Sequence, residues 1–536
     1  MLRRASPEVS PGLARAIARE VAARGGMSPD LPGRVYERER AADRGSRRAG
    51  AVYYTPPHLV DFAIDRALGP LLAEAGGDPL ALRVLDPACG GAAFLLAALE
   101  YLAAAGADRL AILRRCLLGI DVDRQAAAVA RLALAVAVPE ATREDLAGAV
   151  RVADALEPGS APAAAFDAVV TNPPWGQKRF ALPVEKRHRY RELYTSGRGA
   201  IDPFALFVER AHGLLRPGGR WGMVLPDVVL LKNHEPLRAL VLAGSELEWI
   251  AHAGRAFDGV NLDAVVITGR RVASPAAGHR VAIWHSLPET WQDHPPRTRR
   301  QPQAVFARLP GKRFNLHLDP GDLALLDRLA GLPTLGDRFE IHEGVHTGNA
   351  RGKLFRAERP AGPCAPIVVG RGEVARYHIQ WAGTWLDRSP AALDRAAGDY
   401  ANLGRPEWHL RPKIVVRRTG DHLVAAWDGE GLYVSNNLFV VLPRARVSAA
   451  EQRAVVALLN SSLLTWCFRA QVPRVGRLFA ELKIQHLAAL PLAPLDRASV
   501  GRLDRLAGRR DHGAIDALVA DLYRLSASER RRAGRV

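Results

Sequence analysis

From about residue 80 to 270, short apolar runs alternate with helical segments, and the runs end on small or acidic residues. Val84 to Asp86 reads as a buried strand, with small residues turning into a helix over Ala92 to Ala104. Leu117 to Asp121 reads as a second strand leading into a helix from Arg124 to Val138. Val150 to Ala153 is a third and Asp167 to Thr171 a fourth. A helix from Pro203 to Leu215 stops at Pro217-Gly218-Gly219, and strands follow at Trp221 to Leu225, Leu247 to His252 and Ala264 to Thr268. This alternation predicts an α/β fold with a doubly wound sheet and ligands at the carboxyl ends of its strands.

The chain is longer than one such sheet needs, since 536 residues suit two domains or more. Residues 1–50 are rich in Arg, Ala and Glu and read as a helical extension without a recognisable site. The sheet domain is assigned to 51–290. Ser286 to Lys312 contains Pro-Pro and repeated Arg and Gln with no clear period, which places a linker at 291–312. Residues 313–536 resume as a mixed α+β domain. Cys89, Cys116, Cys364 and Cys467 lie far apart, so neither a disulfide framework nor a metal site is expected. No leader or membrane-length apolar run is seen, and a cytoplasmic location is expected.

The formal charge is +18. Only 7 of the 74 basic residues are lysine, a bias that GC-rich coding also produces, so the charge alone does not establish nucleic-acid binding. Its distribution says more: from residue 301 onward basic residues exceed acidic ones by 12, against 6 before it. The back domain is therefore the better phosphate-contacting candidate, with Arg351, Arg371, Arg417 and Arg418 among its possible readers.

Three acids stand at the tips of three successive strands. Asp86 precedes Pro87-Ala88-Cys89-Gly90-Gly91-Ala92, whose lack of bulk lets a nucleotide-like ligand approach the backbone. Asp121 suits the two hydroxyls of a ribose. Asp154 can accept from an adenine amino group. One such acid is an ordinary helix cap; three in order point to a ligand. The fourth strand ends in Thr171-Asn172-Pro173-Pro174-Trp175-Gly176. The two prolines stiffen an extended tip. The Asn172 carbonyl and the adjacent backbone carbonyl can both accept from one amino group, and Trp175 offers a face to a base.

Together Tyr54-Thr55-Pro56-Pro57, the Asp86 glycine turn, Asp121, Asp154 and Asn172-Pro173-Pro174-Trp175 resemble the gamma-order DNA methyltransferases that modify amino groups. The resemblance implies a Rossmann-like methyltransferase sheet followed by a target-recognition domain. It implies that Thr55, Asp86, Ala88, Gly90, Asp121 and Asp154 face S-adenosylmethionine. Asn172, Pro173 and Pro174 with Trp175 would form the catalytic tip, and Phe257, in Gly254 to Val266, would pack on the flipped base. Gly344 to Gly348, Ser435-Asn436-Asn437, Leu458 to Ser462 and Leu482-Lys483-Ile484 look like a TaqI-like specificity domain. One departure is Gly90-Gly91-Ala92, where that family usually has Gly-Ser-Gly.

The function so implied is site-specific methylation of adenine N6 in double-stranded DNA, by direct transfer to a flipped base. Cytosine N4 methylation uses similar geometry, commonly with Ser in place of Asn172. Cytosine C5 methylation needs a nucleophilic cysteine, and Cys364 lies outside the catalytic half. A protein glutamine methyltransferase has no need of the long basic back domain, and a plain DNA-binding protein leaves the acidic tips unexplained. A magnesium nuclease needs an Asp near Glu-x-Lys. Glu481-Leu482-Lys483 has no aspartate between Asp428 and Asp496. Any restriction endonuclease or other defence protein is therefore expected as a separate partner chain.

Overall fold

The computed structural model describes residues 8–42, 55–176, 182–198, 201–231, 234–257, 262–370, 372–471 and 480–534. Tyr54 and Arg371 lie outside them. The chain divides into two compact units, Met1–Leu316 and His317–Val536.

The first unit begins with helices α1 (Pro11–Arg24) and α2 (Leu31–Ala42), then α3 (Pro57–Glu74). The alternating region follows as β1 (Val84–Asp86), α4 (Ala93–Ala104), β2 (Leu117–Asp121), α5 (Arg124–Ala137), β3 (Val150–Val152) and β4 (Phe166–Thr171). Next come α6 (Val184–Leu193), α7 (Pro203–Leu214), β5 (Leu215–Pro226), β6 (Ser245–Gly254), β7 (Ala264–Arg271), β8 (Arg280–Trp284) and β9 (Arg299–Pro302). The nine strands form one sheet in the order β3-β2-β1-β4-β5-β7-β6-β8-β9. β1 to β5 are mutually parallel, whereas β7 runs antiparallel between β5 and β6. Strand order reverses between β1 and β4, and such a switch point leaves a crevice at the carboxyl ends. Asp86 ends one of the two strands that flank it, and Asn172 directly follows the other. All six residues of β4 are buried, as expected of a strand covered on both faces.

Two stretches differ from the sequence expectation. Pro217-Gly218-Gly219 does not separate helix from strand: β5 already starts at Leu215, and the turn is a bulge inside it, because Leu215 pairs with Phe166 and Arg220 with Ala168. Nor is 291–312 an irregular linker between domains. Trp291 is buried and donates its indole N–H to the His58 carbonyl, 3.2 Å away. β9 pairs with β8, and the Gln303 side chain bonds Leu247 N–H and the Ser245 carbonyl. Pairing through the backbone lets a polar, arginine-rich segment serve as an edge strand. The unit ends at Leu316 instead.

The N-terminal helices are part of this unit's packing. Leu13, Ile17, Leu31, Val35 and Tyr36 bury against Ala126, Val129 and Leu132 of α5. α2 also lies on the glycine turn at backbone contact. A Cβ on Gly33 would stand 2.6 Å from the Gly91 carbonyl oxygen, and one on Gly91 would stand 2.5 Å from Gly33 Cα.

In the second unit a four-stranded antiparallel sheet runs Phe339–Glu343, Leu438–Pro443, Lys413–Arg417, Ala425–Asp428 in spatial order. It packs on helices that include Ala449–Leu459 and Arg497–Arg509. The motifs noted in its sequence are joints. Val345 N–H donates to the Val434 carbonyl at 2.7 Å, and Asn436 N–H returns to the Val345 carbonyl at 2.9 Å. The Asn460 amide bonds both N–H and carbonyl of Ala425, at 2.8 and 2.9 Å. Among the described residues, no helix is long and apolar enough to cross a membrane.

Gly33→Ala tests the contact between α2 and the glycine turn. Both partners are backbone and cannot swing aside, so overpacking should cost about 1–3 kcal/mol. Gly12→Ala in α1 meets open space and should stabilise by roughly 0.5–1 kcal/mol. Chemical denaturation of the two variants measures both; equal stability would remove the close approach.

Candidate functional site

The strand tips are braced by the chain's own N–H groups. Asp86 is only 1 % exposed, and its Oδ1 accepts from Ala88 N–H at 3.1 Å. Burial pushes its carboxyl up to about 7. Asp121 reaches across to the same turn: Oδ2 accepts from Gly90 N–H at 2.9 Å and Oδ1 from Asp123 N–H at 2.8 Å. Burial raises it as well, to about 6. Gly90 has φ +49°, and Ala92, read from sequence as the first helical residue, has φ +74° just ahead of α4. A left-handed L-residue costs roughly 1–2 kcal/mol. The fully buried Ala92 methyl returns about 0.8 kcal/mol of that. Alanine is thus tolerated where glycine is the easier residue.

Asp154 is more occupied than its sequence position suggests. Oδ2 accepts from Lys186 Nζ at 2.5 Å and from the Tyr190 hydroxyl at 2.6 Å, both on α6, while Oδ1 accepts from Leu156 N–H at 3.1 Å. Burial alone would raise its pKa, but Lys186 and Tyr190 hold it below the usual carboxylate range. A carboxylate has about four acceptor positions, so one further bond fits.

At the β4 tip, Asn172 Nδ2 donates to Thr55 Oγ1 at 2.9 Å, joining residues 117 apart in sequence. Thr55 itself is buried. With Nδ2 so engaged, Oδ1 is the atom left to accept from a ligand. Gly176 N–H, past the prolines, donates to Asp202 Oδ1 at 3.1 Å. Asp202 precedes α7, where aspartate usually caps its own helix. Here it fixes the Asn-Pro-Pro tip instead, and burial lifts it to about 6. The Trp175 and Phe257 rings meet edge to face, 5.0 Å apart at 82°. They touch each other rather than framing an open parallel slot.

The structure thus brings Thr55 to Asn172, Ala88 and Gly90 to Asp86 and Asp121, and Trp175 to Phe257. Sequence reading missed Asp202, the α6 pair, and the residues of α2. Tyr36 donates to Asp123 Oδ2 at 2.8 Å, and Arg40 pairs with the same oxygen at 3.3 Å. Asp227, His252 and Asp263, near the carboxyl ends of β5 and β6 and the start of β7, also come together, with one polar side-chain atom of each within 4.8 Å of the others. A cavity of about 260 Å³ is lined by Glu37 and other residues of α2, by Thr55 and the start of α3, and by Gly91 with the start of α4.

The raised carboxyls have a measurable consequence. An unfolded aspartate titrates near 3.9, roughly. A folded value above it means that the native state holds the proton longer, so stability is full below the unfolded value and falls as pH rises through about 7 for Asp86. Asp86→Asn mimics the protonated form. In melts from pH 4 to 8, the wild type should lose ground to this variant as pH rises; a constant difference would contradict the buried, protonated Asp86.

Comparison with known proteins bears on the chain as a whole. Residues 27–250 match the family model described as N-6 DNA Methylase, and residues 365–492 the TaqI-like C-terminal specificity domain. The type II methyltransferase M.TthHB8I of Thermus thermophilus is 26% identical over 426 residues, covering 76% of this chain and 83% of the relative. The type II methyltransferase M.VspI of a Vibrio species is 22% identical, over 62% of this chain and 72% of the relative. Among solved structures, the type IIL restriction-modification enzyme MmeI in complex with DNA has a TM-score of 0.61 at 12% identity, covering 94% of this chain and 79% of that one. At that identity the likeness speaks for the fold. The ordered strand tips, the Asn-Pro-Pro tip and the two family matches lead to one conclusion: the chain is an N6-adenine DNA methyltransferase with a TaqI-like specificity domain.

Proposed function

We propose that S-adenosylmethionine binds over the glycine turn and that Asn172 holds the amino group of an adenine flipped out of duplex DNA, in the motif order of the gamma methyltransferases. The observation that carries this reading is the Thr55–Asn172 hydrogen bond, since Thr55 also lines the cavity beside Gly91 and so ties it to the β4 tip. The residues present fit that cofactor: a turn of small residues, Asp121 at the β2 tip and acidic groups in the adjoining cavity. When bound, S-adenosylmethionine supplies an electrophilic methyl group.

The chain's own part is positioning and electrostatics. Asn172 Oδ1 and the adjacent backbone carbonyl accept the two amino hydrogens, which favours a pyramidal nitrogen with its lone pair free. Pro173 and Pro174 keep the tip extended, and Asp202 anchors its far end. Trp175 and Phe257 offer aromatic surface to the flipped base. Asp121 and Asp154 take the ribose hydroxyls and the cofactor's adenine amino group. The basic excess of the back domain supports phosphate contact there. MmeI and the DrdV–DNA complex, similar in fold with TM-scores of 0.61 and 0.58, support DNA as the partner. Arg418 is held by the Asn436 carbonyl and Glu343, which favours a positioned contact over a free surface charge. A restriction endonuclease, where one acts with this chain, is proposed as a separate protein.

Asn172→Ala should abolish transfer of labelled methyl to DNA, by 10²-fold or more if losing the acceptor costs roughly 2.7–4 kcal/mol. Cofactor affinity, read by calorimetry, should change little. Near-normal turnover would overturn the catalytic assignment. For the intact enzyme, DNA affinity should fall with salt at a logarithmic slope near 0.9 per phosphate contacted, about. Affinity insensitive to salt would remove the phosphate-gripping role.

A further inference from the structure

Glu37 has no role in the reading so far, yet its placement is unusual for an exposed-type residue on an arginine-rich helix. It is 7 % exposed. One face of its carboxyl looks at the glycine turn: Oε1 would lie 3.7 Å from a Cβ on Gly90, and Gly91 N–H donates to the group. The other oxygen, Oε2, is buried without a hydrogen-bond partner. A buried acceptor left unmatched is costly, and more so when charged. The same side chain lines the 260 Å³ cavity with Thr55, Gly91 and Ala93. Asp30 and Asp61 are the other titratable residues of that lining, and no basic side chain belongs to it.

We propose that Glu37 accepts the α-ammonium group of the cofactor's methionyl moiety, which makes α2 a wall of the cofactor site. The inference rests on the reading of the glycine turn as the cofactor's seat. An acid-lined cavity selects a cation, and the ammonium is the hydrogen-bonding cation of that moiety. The carboxylate on the same carbon is suited by the start of α4 at Ala93, a twelve-residue helix whose free N–H groups favour an anion. Gly33 permits the arrangement, because only a glycine there lets α2 approach Gly91 closely enough for Glu37 to reach the turn. Burial lifts the Glu37 carboxyl to about 8, so it is largely protonated until a cation arrives to ionise it.

Calorimetry on the full chain with S-adenosylhomocysteine and its analogue lacking only the α-amino group tests this. Glu37→Gln keeps the shape of the protonated acid, and melting of the ligand-free variant reports whether folding is intact. It should weaken S-adenosylhomocysteine at least tenfold and change the deaminated analogue less than twofold. Glu37→Asp, one methylene shorter, should show the same selectivity for the amino group and guards against a misfolded Gln variant. Equal loss on both ligands would mean a structural role and overturn the inference. Wild-type binding of both with no change in either variant would overturn it alone. Wild-type protein that bound neither ligand would overturn the cofactor reading, and this inference with it.

Discussion

Much of the catalytic unit hangs on one carboxylate. Asp121 leaves β2 and spends one oxygen on Gly90 and the other on Asp123. The first bond holds the left-handed turn that follows β1; the second shapes the start of α5, where Asp123 caps the helix by accepting from Gln125 N–H. Through Asp123 the brace extends to Tyr36 and Arg40 on α2. Three segments far apart in sequence are thus referred to one strand tip. Hydrogen bonds to a carboxylate are worth roughly 1.5–3 kcal/mol each, and here they offset part of the cost of burying it, which still leaves its pKa raised.

The first four strands were legible because runs such as Val84–Asp86 and Phe166–Thr171 are short, apolar and end in polar residues. The placement of Asn172 at a strand tip was legible because two prolines after a strand leave few conformations. Glu37 was not. A glutamate among arginines reads as a solvated face, and only the Gly33 approach, a tertiary fact, turns it inward. Asp202 was hidden for a related reason: a residue before a helical proline signals a cap, whichever N–H it finally meets. β9 escaped detection because an edge strand needs backbone pairing and little apolar character. Its arginines, Arg299 and Arg300, say nothing of the ladder they join.

The back domain teaches the complementary lesson. Its recognisable motifs mark where chain segments cross. Gly344 accepts no side chain because the Ser435 carbonyl lies 2.2 Å from where a Cβ would be, and Asn460 satisfies both polar groups of Ala425. Residues that join segments carry pattern. Residues that would read bases lie on surface whose pattern is set by the DNA, which is why resemblance there identifies architecture and leaves the recognised sequence unstated.

The edge-to-face contact of Trp175 with Phe257 leaves the two rings engaged with each other. An aromatic pair of this kind is worth roughly 0.5–1.5 kcal/mol, while stacking a base on an aromatic contributes roughly 1–3 kcal/mol. On the proposed reading, a base that stacks there at the expense of this contact exchanges one for the other, and the net gain is small. Apolar attraction alone therefore admits almost any base and retains none. On the proposed reading, dwell time then falls to the acceptors on Asn172, so the aromatic surface is indifferent to identity and the discrimination is left to hydrogen bonds.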